Sequence, residues 1–317
     1  MKFCYRFCLW AVLGLGWLFF AAYAHAAPPL FIVTTTAQVG DLVRHVAGDH
    51  VRLDIMMGEG VDPHLYRPTR SDMVKLQQAD MVFYSGLNLE GKMTDLLEKL
   101  AANKLVLAVA DDGSGNAHHG IDPHVWMDVE RWRAALHKTA AALIKALPQH
   151  EAEFTRNLTA YDQELQQLDA YAKQVIASIP AEKRALITAH DAFHYFGQRY
   201  GIEVHGIQGI STDSEAGLKQ IEELVALIVA RNIPAVFAET SVSDRNIKAL
   251  VEGSAAKNHR LLIGGHLFSD AMGKPLTYEG TYVGMIDHNV TMIGKALGGN
   301  VPANGMSGKL TSEAAQP

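Results

Sequence analysis

The sequence predicts an α/β protein of two similar lobes, with mostly parallel sheets covered by helices and a ligand site in the cleft between them. Three observations predict it. Short, near-continuous apolar runs alternate with helical stretches before Pro148 and again after Pro180, the pattern of parallel strands buried on both faces. Between those prolines lies a stretch of about 30 residues with apolar side chains at spacings of three and four, which reads as one long amphipathic helix. The triplet Asp-Pro-His occurs twice, as Asp62-Pro63-His64 and Asp122-Pro123-His124, each time in a loop that leaves an apolar strand.

The first residues stand apart from the fold. Lys2 and Arg6 precede an apolar run over residues 9–22, and Ala24-His25-Ala26 places small residues where a signal peptidase reads them. Residues 1–26 are therefore expected to be a signal peptide, cleaved after Ala26, and the run is too short for a confident membrane span. Both cysteines, Cys4 and Cys8, fall inside it. Neither sits where a lipid-modified cysteine would follow the apolar run. The mature chain then has no disulfide, no thiolate ligand and no cysteine nucleophile. Losing Lys2 and Arg6 leaves 26 basic residues against 34 acidic ones and moves the net charge from -6 to -8. Such a balance argues against nucleic acid as a partner and suits a soluble exported monomer.

The elements follow in order. Residues 31–36 read as a buried strand, 38–46 as a helix, 51–57 as a strand, and 71–78 as a helix with Ser71 as its N-cap. Residues 81–84 and 105–109 are two more strands, completing an N-terminal lobe over 27–148. Residues 149–179 form the connecting helix, about 45 Å long at 1.5 Å per residue, read as a rigid link between lobes. The C-terminal lobe, 180–300, restarts the alternation with a strand over 185–190 that runs into His190. Strands at 203–207, 235–238 and 260–263 alternate with helices at 215–231 and 243–257. Residues 264–270 are the loop leaving the last strand, and 278–297 the last helix. A Gly-, Ser- and Ala-containing tail, 301–317, is expected to be flexible.

In parallel sheets, ligands collect at the carboxyl ends of strands. Four loops or strand ends there offer His64, His124, His190 and Asp270, two from each lobe, with His124 expected on a surface loop. Proline fixes its own φ and restricts the residue before it, so each Asp-Pro-His holds its imidazole on a stiff turn. Three imidazoles and a carboxylate can complete the coordination of a borderline divalent cation. Three rival motifs are weaker. His190-Asp191-Ala192-Phe193-His194 spaces two histidines as in a helical zinc-protease signature but has Asp191 where the general-base glutamate belongs. The stretch Gly86 to Met93 nearly matches a phosphate-binding loop, yet Met93 replaces the required hydroxyl and Glu90 would repel phosphate. His118-His119 is either a weak collecting tract for metal or, on the favoured reading, a solvated surface pair.

Taken with Gly60-Val61-Asp62-Pro63-His64-Leu65-Tyr66, Asp122-Pro123-His124-Val125-Trp126-Met127-Asp128, Thr188-Ala189-His190-Asp191-Ala192-Phe193, Gly209-Ile210-Ser211-Thr212 and Leu267-Phe268-Ser269-Asp270, the sequence resembles the TroA-like solute-binding receptors of zinc- and manganese-importing ABC transporters. The resemblance covers nearly the whole mature chain. It implies a periplasmic receptor, without catalysis, that delivers its metal to a membrane permease and its ATPase. It also implies that His64, His124, His190 and Asp270 are the ligands and that the long helix permits only small lobe movements. Zinc receptors of this group usually carry a long His- and acid-rich loop before the second ligand, which here shrinks to His118-His119-Gly120. Manganese receptors often have glutamate at the third ligand, where this chain has His190. Zn²⁺ is favoured, with Mn²⁺ close behind and iron third. The alternatives are a zinc hydrolase built on His190 and His194, and a surface adhesin that holds metal for stability.

Overall fold

The computed structural model describes residues 28–111 and 122–310. The expected signal peptide with Ala26 and the His118-His119 pair lie outside the described residues. The N-terminal lobe begins with β1 (Leu30–Thr36), which passes directly into α1 (Ala37–Ala47), the turn being capped by Thr36 Oγ1 accepting from the Val39 amide. Then come β2 (Val51–Met57), α2 (Arg70–Gln78), β3 (Met81–Tyr84), α3 (Thr94–Ala101) and β4 (Leu105–Ala108). The four strands form one parallel sheet in the order β2-β1-β3-β4. Every residue of β1 from Phe31 on is buried, as a central strand covered on both faces requires.

Helix α4 (Val129–Ala146) has no counterpart among the helices expected from the sequence. Asp128 caps it, accepting from the Glu130 and Arg131 amides. After a 3₁₀ turn over Pro148–His150, α5 (Glu151–Ser178) runs for 28 residues without a break. The second lobe contains β5 (Ala185–His190), α6 (His194–Tyr200), β6 (Glu203–Gln208), α7 (Leu218–Arg231), β7 (Ala235–Glu239), α8 (Arg245–Ala255), β8 (Leu262–Leu267) and α9 (Tyr282–Ala296). Its strands pair in parallel as β5-β6 and β7-β8, with β5 beside β7.

Three differences from the sequence expectation have physical causes. The N-cap of α2 is Thr69 rather than Ser71. Thr69 accepts from the Asp72 amide while the Asp72 carboxylate accepts from the Thr69 amide, a reciprocal capping box that starts the helix earlier. Strand β8 extends through Gly264, Gly265 and His266, which were expected in a loop. A side chain at Gly264 would meet Ala296 Cβ at 2.7 Å and Phe237 at 2.8 Å, and Gly265 has φ +129° beside a register irregularity with β7. These glycines therefore mark close packing and a bulge. Residues 301–310, expected to be flexible, pack back on α9: the Met306 amide donates to Asp287 Oδ1 at 2.8 Å, and Leu310 is buried.

The largest core does not respect the lobes. One cluster runs from Ile32 and Phe83 through Trp126, Trp132, Phe154 and Leu165 to Phe196, Phe237, Tyr282 and Ile293. It joins one face of the N-terminal sheet, helices α4 and α5, and the second lobe with α9. The opposite faces of the two sheets have their own smaller cores, around Val33, Val82 and Leu97 and around Ile187, Val236 and Ile247. Helix α5 is tied down by polar contacts as well. Arg133 of α4 makes a two-pronged ion pair with Asp162, both bonds 2.8 Å, and Arg199 of α6 holds Asp169 at 2.9 and 2.8 Å.

Candidate metal centre

Each predicted site residue is placed by a local feature of the chain. The Asp62 carboxylate accepts from the His64 amide at 2.8 Å, and the Asp122 carboxylate accepts from the His124 amide at 3.0 Å. The two Asp-Pro-His triplets thus fold as the same aspartate-stabilised turn. His190 is the last residue of β5, and Asp270 follows the end of β8 by three residues.

The four side chains meet between the lobes. Nε2 of His124 lies 3.2 Å from Nε2 of His64 and 3.3 Å from Nε2 of His190. Asp270 Oδ1 is 3.3 Å from His124 Nε2, and Asp270 Oδ2 is 3.3 Å from His190 Nε2. His64 Nε2 and Asp270 Oδ1 are 4.0 Å apart. A tetrahedral cation with bonds of about 2.0 Å has ligand-to-ligand edges of about 3.3 Å. The observed spacings are close to those edges. Three Nε2 atoms converging on one another and on a carboxylate make poor hydrogen bonds but a good cation cage. Asp270 Oδ1 is buried without a hydrogen-bond partner among the described residues, an unsatisfied acceptor of the kind a metal ion completes.

All four are buried, His124 and His190 at 0 % exposure. The expectation of a surface loop at His124 is therefore corrected: the loop folds inward, and Trp126 and His190 pack their rings at 5.3 and 5.2 Å from its imidazole. His64, at 5 %, is the most exposed. It borders a cavity of about 700 Å³ between the lobes, lined also by Tyr84, Asn88, Lys92 and Ser211, which gives the site its route to solvent.

The residues behind the cage were not identified from the sequence. His190 Nδ1 is 2.6 Å from Glu239 Oε2, and the His190 amide donates to Glu239 Oε1 at 2.8 Å. His124 Nδ1 is 2.6 Å from Asp122 Oδ1. These carboxylates fix the tautomer that turns Nε2 toward the centre. Asp122 carried a signal, since it sits inside the repeated triplet. Glu239 carried none, because only the neighbouring course of β5 and β7 brings it to His190. The Asp62 carboxylate also accepts from Thr212 Oγ1 at 2.6 Å, tying the first triplet to the second lobe.

Electrostatics follow from burial and these partners. Burial lowers the His64 imidazole to about 4, against a partial counter-pull from Asp270. Burial works the same way on His124 and His190, but it is outweighed. The hydrogen bond that His124 donates to Asp122 and the pull of Asp270 raise His124, and the charges of Glu239 and Asp270 hold His190 well above the ordinary histidine range. Burial would raise Asp270, yet the charge of His190 and the contact with His124 hold it well below the usual carboxylate range. The cage thus favours positive charge at its centre, and a cation there replaces protons.

The rival motifs dissolve in the fold. His190 ends β5 while His194 opens α6, exposed and 2.9 Å from Gln198 Nε2, so the two do not share a helical face. The Glu90 carboxylate takes the Ser85 and Gly86 amides at 2.8 and 3.1 Å, occupying the donors a phosphate would need.

Residues 32–296 match the family model for the zinc-uptake complex component A, periplasmic. The chain belongs to this family. Its relatives include the manganese-binding lipoprotein MntA of Bacillus subtilis, 47% identical over 84% of this chain and 90% of that protein. The zinc-binding protein TroA of Treponema pallidum is 45% identical over 84% of this chain and 88% of its own length. The solved structure of the Treponema protein superposes with a TM-score of 0.82 at 44% identity, covering 85% of this chain and 99% of that one. The Fe(III)-bound YtgA of Chlamydia trachomatis superposes at 0.78 with 27% identity, covering 86% and 99%. The two-lobed α/β architecture with a long connecting helix is that of the family. Members are substrate-binding receptors of ABC importers, working with a permease and an ATPase, and are not enzymes. Among the described residues, no helix is long and apolar enough to cross a membrane.

Proposed function

We propose that this receptor captures one divalent transition metal ion with His64, His124, His190 and Asp270 and presents it to its membrane permease. The observation that carries the proposal is the cage itself: three buried imidazole nitrogens and a carboxylate at near-tetrahedral spacing, enough protein ligands to close the shell of a four-coordinate ion. Zn²⁺ is the favoured cargo, because three nitrogen donors suit a borderline cation better than a hard one. Mn²⁺ is the second reading. It is supported by the manganese-binding relative and by the second oxygen of Asp270, which allows a higher coordination number. The mature receptor acts as a periplasmic monomer released by cleavage after Ala26, and its intact mass checks that cleavage.

Protein purified without chelator is expected to carry about one equivalent of zinc or manganese, measured by plasma mass spectrometry. His124→Ala should lower the affinity by at least roughly 100-fold, as loss of one of four ligands from a preformed site demands. Because His124 is fully buried, the variant should also melt earlier than the metal-free parent. A parent that binds neither ion, or a variant that binds as tightly, would sink the proposal.

A further inference from the structure

A second group of metal-type ligands lies at the other end of strand β2. His50 closes the 3₁₀ turn Gly48–His50 immediately before β2, whereas His64 follows that strand. Seven residues at about 3.3 Å each separate the two ends by roughly 20 Å, so the groups share no residue and no pocket. His150 is the last residue of the 3₁₀ turn Pro148–His150 and the N-cap of α5, and Glu153 lies in the first turn of that helix.

His50 Nε2 is 3.0 Å from Glu153 Oε2, and the His50 and His150 rings lie 3.8 Å apart, tilted by 33°. One ligand atom from each of the three lies within 4.8 Å of the others. Phe154, fully buried, forms the floor, its ring 5.9 and 5.7 Å from the two imidazoles. A plain ion pair between His50 and Glu153 accounts for two members but not for the third. His150 brings a second imidazole nitrogen within reach of the same point, so a single cation can draw on all three side chains.

The geometry points to a second metal site, formed by His50, His150 and Glu153, that binds a borderline divalent cation such as Zn²⁺. Two nitrogens and one oxygen disfavour Mg²⁺ and Ca²⁺, which take oxygen donors. Three ligands at a partly exposed surface leave a position for water, so the ion exchanges faster than one in the closed cage. A cation at a helix N-terminus opposes the helix dipole, and Glu151 and Glu153 in the first turn offset that cost. The bound ion staples the start of the connecting helix to the edge of the N-terminal sheet.

The test counts zinc ions on the untagged mature chain by equilibrium dialysis against zinc chloride. The parent is expected to bind two ions, the second at least about tenfold more weakly than the first. The double variant His50→Ala/His150→Ala should bind one ion with the parental affinity of the tight site, which also shows that it is folded. Glu153→Gln, at a half-buried residue, should weaken the second ion about tenfold and leave the first alone. His124→Ala should keep the second ion, so failure of the cage assignment and failure of this one are separable. A parent that saturates at one ion overturns the inference. So does a second ion that survives in the double variant, which would then sit elsewhere, for instance at His118-His119.

Discussion

His190 shows how much of the cage depends on residues that touch no metal. Its ring is buried and turned by Glu239, which holds both Nδ1 and the backbone amide. Glu239→Gln keeps the shape but removes the charge that makes Nε2 a better donor. The expected result is a loss of about 10- to 100-fold in zinc affinity with one cage ion still bound, read by competition with a chromophoric chelator. Parental affinity in that variant would show that Glu239 is only a packing partner. The residue scale was also the most legible in the sequence. His64 and His124 announce themselves through a repeated Asp-Pro-His turn whose aspartates accept the histidine amides, a local device that needs no tertiary knowledge. Glu239 lies 49 residues from His190 in the chain, and no local pattern links them.

Among the elements, strands were easier to read than their ends. The apolar runs of β1, β3 and β5 are buried throughout or nearly so, and a run of that kind has few alternatives. Strand β8 was cut short because glycine normally signals a turn. Here Gly264 is selected by the approach of Ala296 and Phe237, a constraint visible only once α9 is packed. Helix α5 was legible from its period, and its clamp to α4 yields a pH prediction. The Arg133 guanidinium, by direct hydrogen bonds, holds the Asp162 carboxyl down to about 2 from an ordinary 3.8. A carboxyl depressed by folding contributes stability above its unfolded value, and that contribution is lost as pH falls through the folded one. The metal-free protein should therefore lose stability between about pH 4 and pH 2. Asp162→Asn should lose less over that window, measured by urea midpoints at both ends. An identical loss in parent and variant would remove the clamp from the account.

At the scale of the molecule, the two lobes were predicted as separate bodies joined by a rod, and the rod turns out to be part of a common core. The main cluster passes without interruption from the N-terminal sheet through α5 to α9. Two contacts also cross the cleft beside the cage, Thr212 to Asp62 at 2.6 Å and Lys92 to Asp213 at 3.3 Å. Opening the cleft widely would tear a close-packed interior, which costs far more than rearranging a loop. Small-angle scattering curves of metal-free and zinc-loaded protein should accordingly superimpose. A clear contraction on loading would mean that the shared core divides and that the helix bends. The sequence could not show this continuity, because apolar periodicity marks a face as buried without saying what buries it.

Trp126 gives the cage an optical reporter. Of the four tryptophans, Trp10 and Trp17 lie in the segment proposed to be removed, which leaves Trp126 and Trp132. Their rings are 6.5 Å apart, and Trp126 stands edge-on to His124 at 5.3 Å while its indole nitrogen donates to the carbonyl of Ser269, next to Asp270. All the indole emission of the mature receptor therefore originates beside the cage. Asp122 and Asp270 outweigh burial at His124 and favour the protonated imidazole, which quenches a neighbouring indole, and an ion bound at Nε2 excludes that proton. Zinc should brighten the emission of the unlabelled protein at constant pH, so that cargo loading is visible in a cuvette without a dye. An unchanged spectrum on zinc saturation would place the bound ion away from His124.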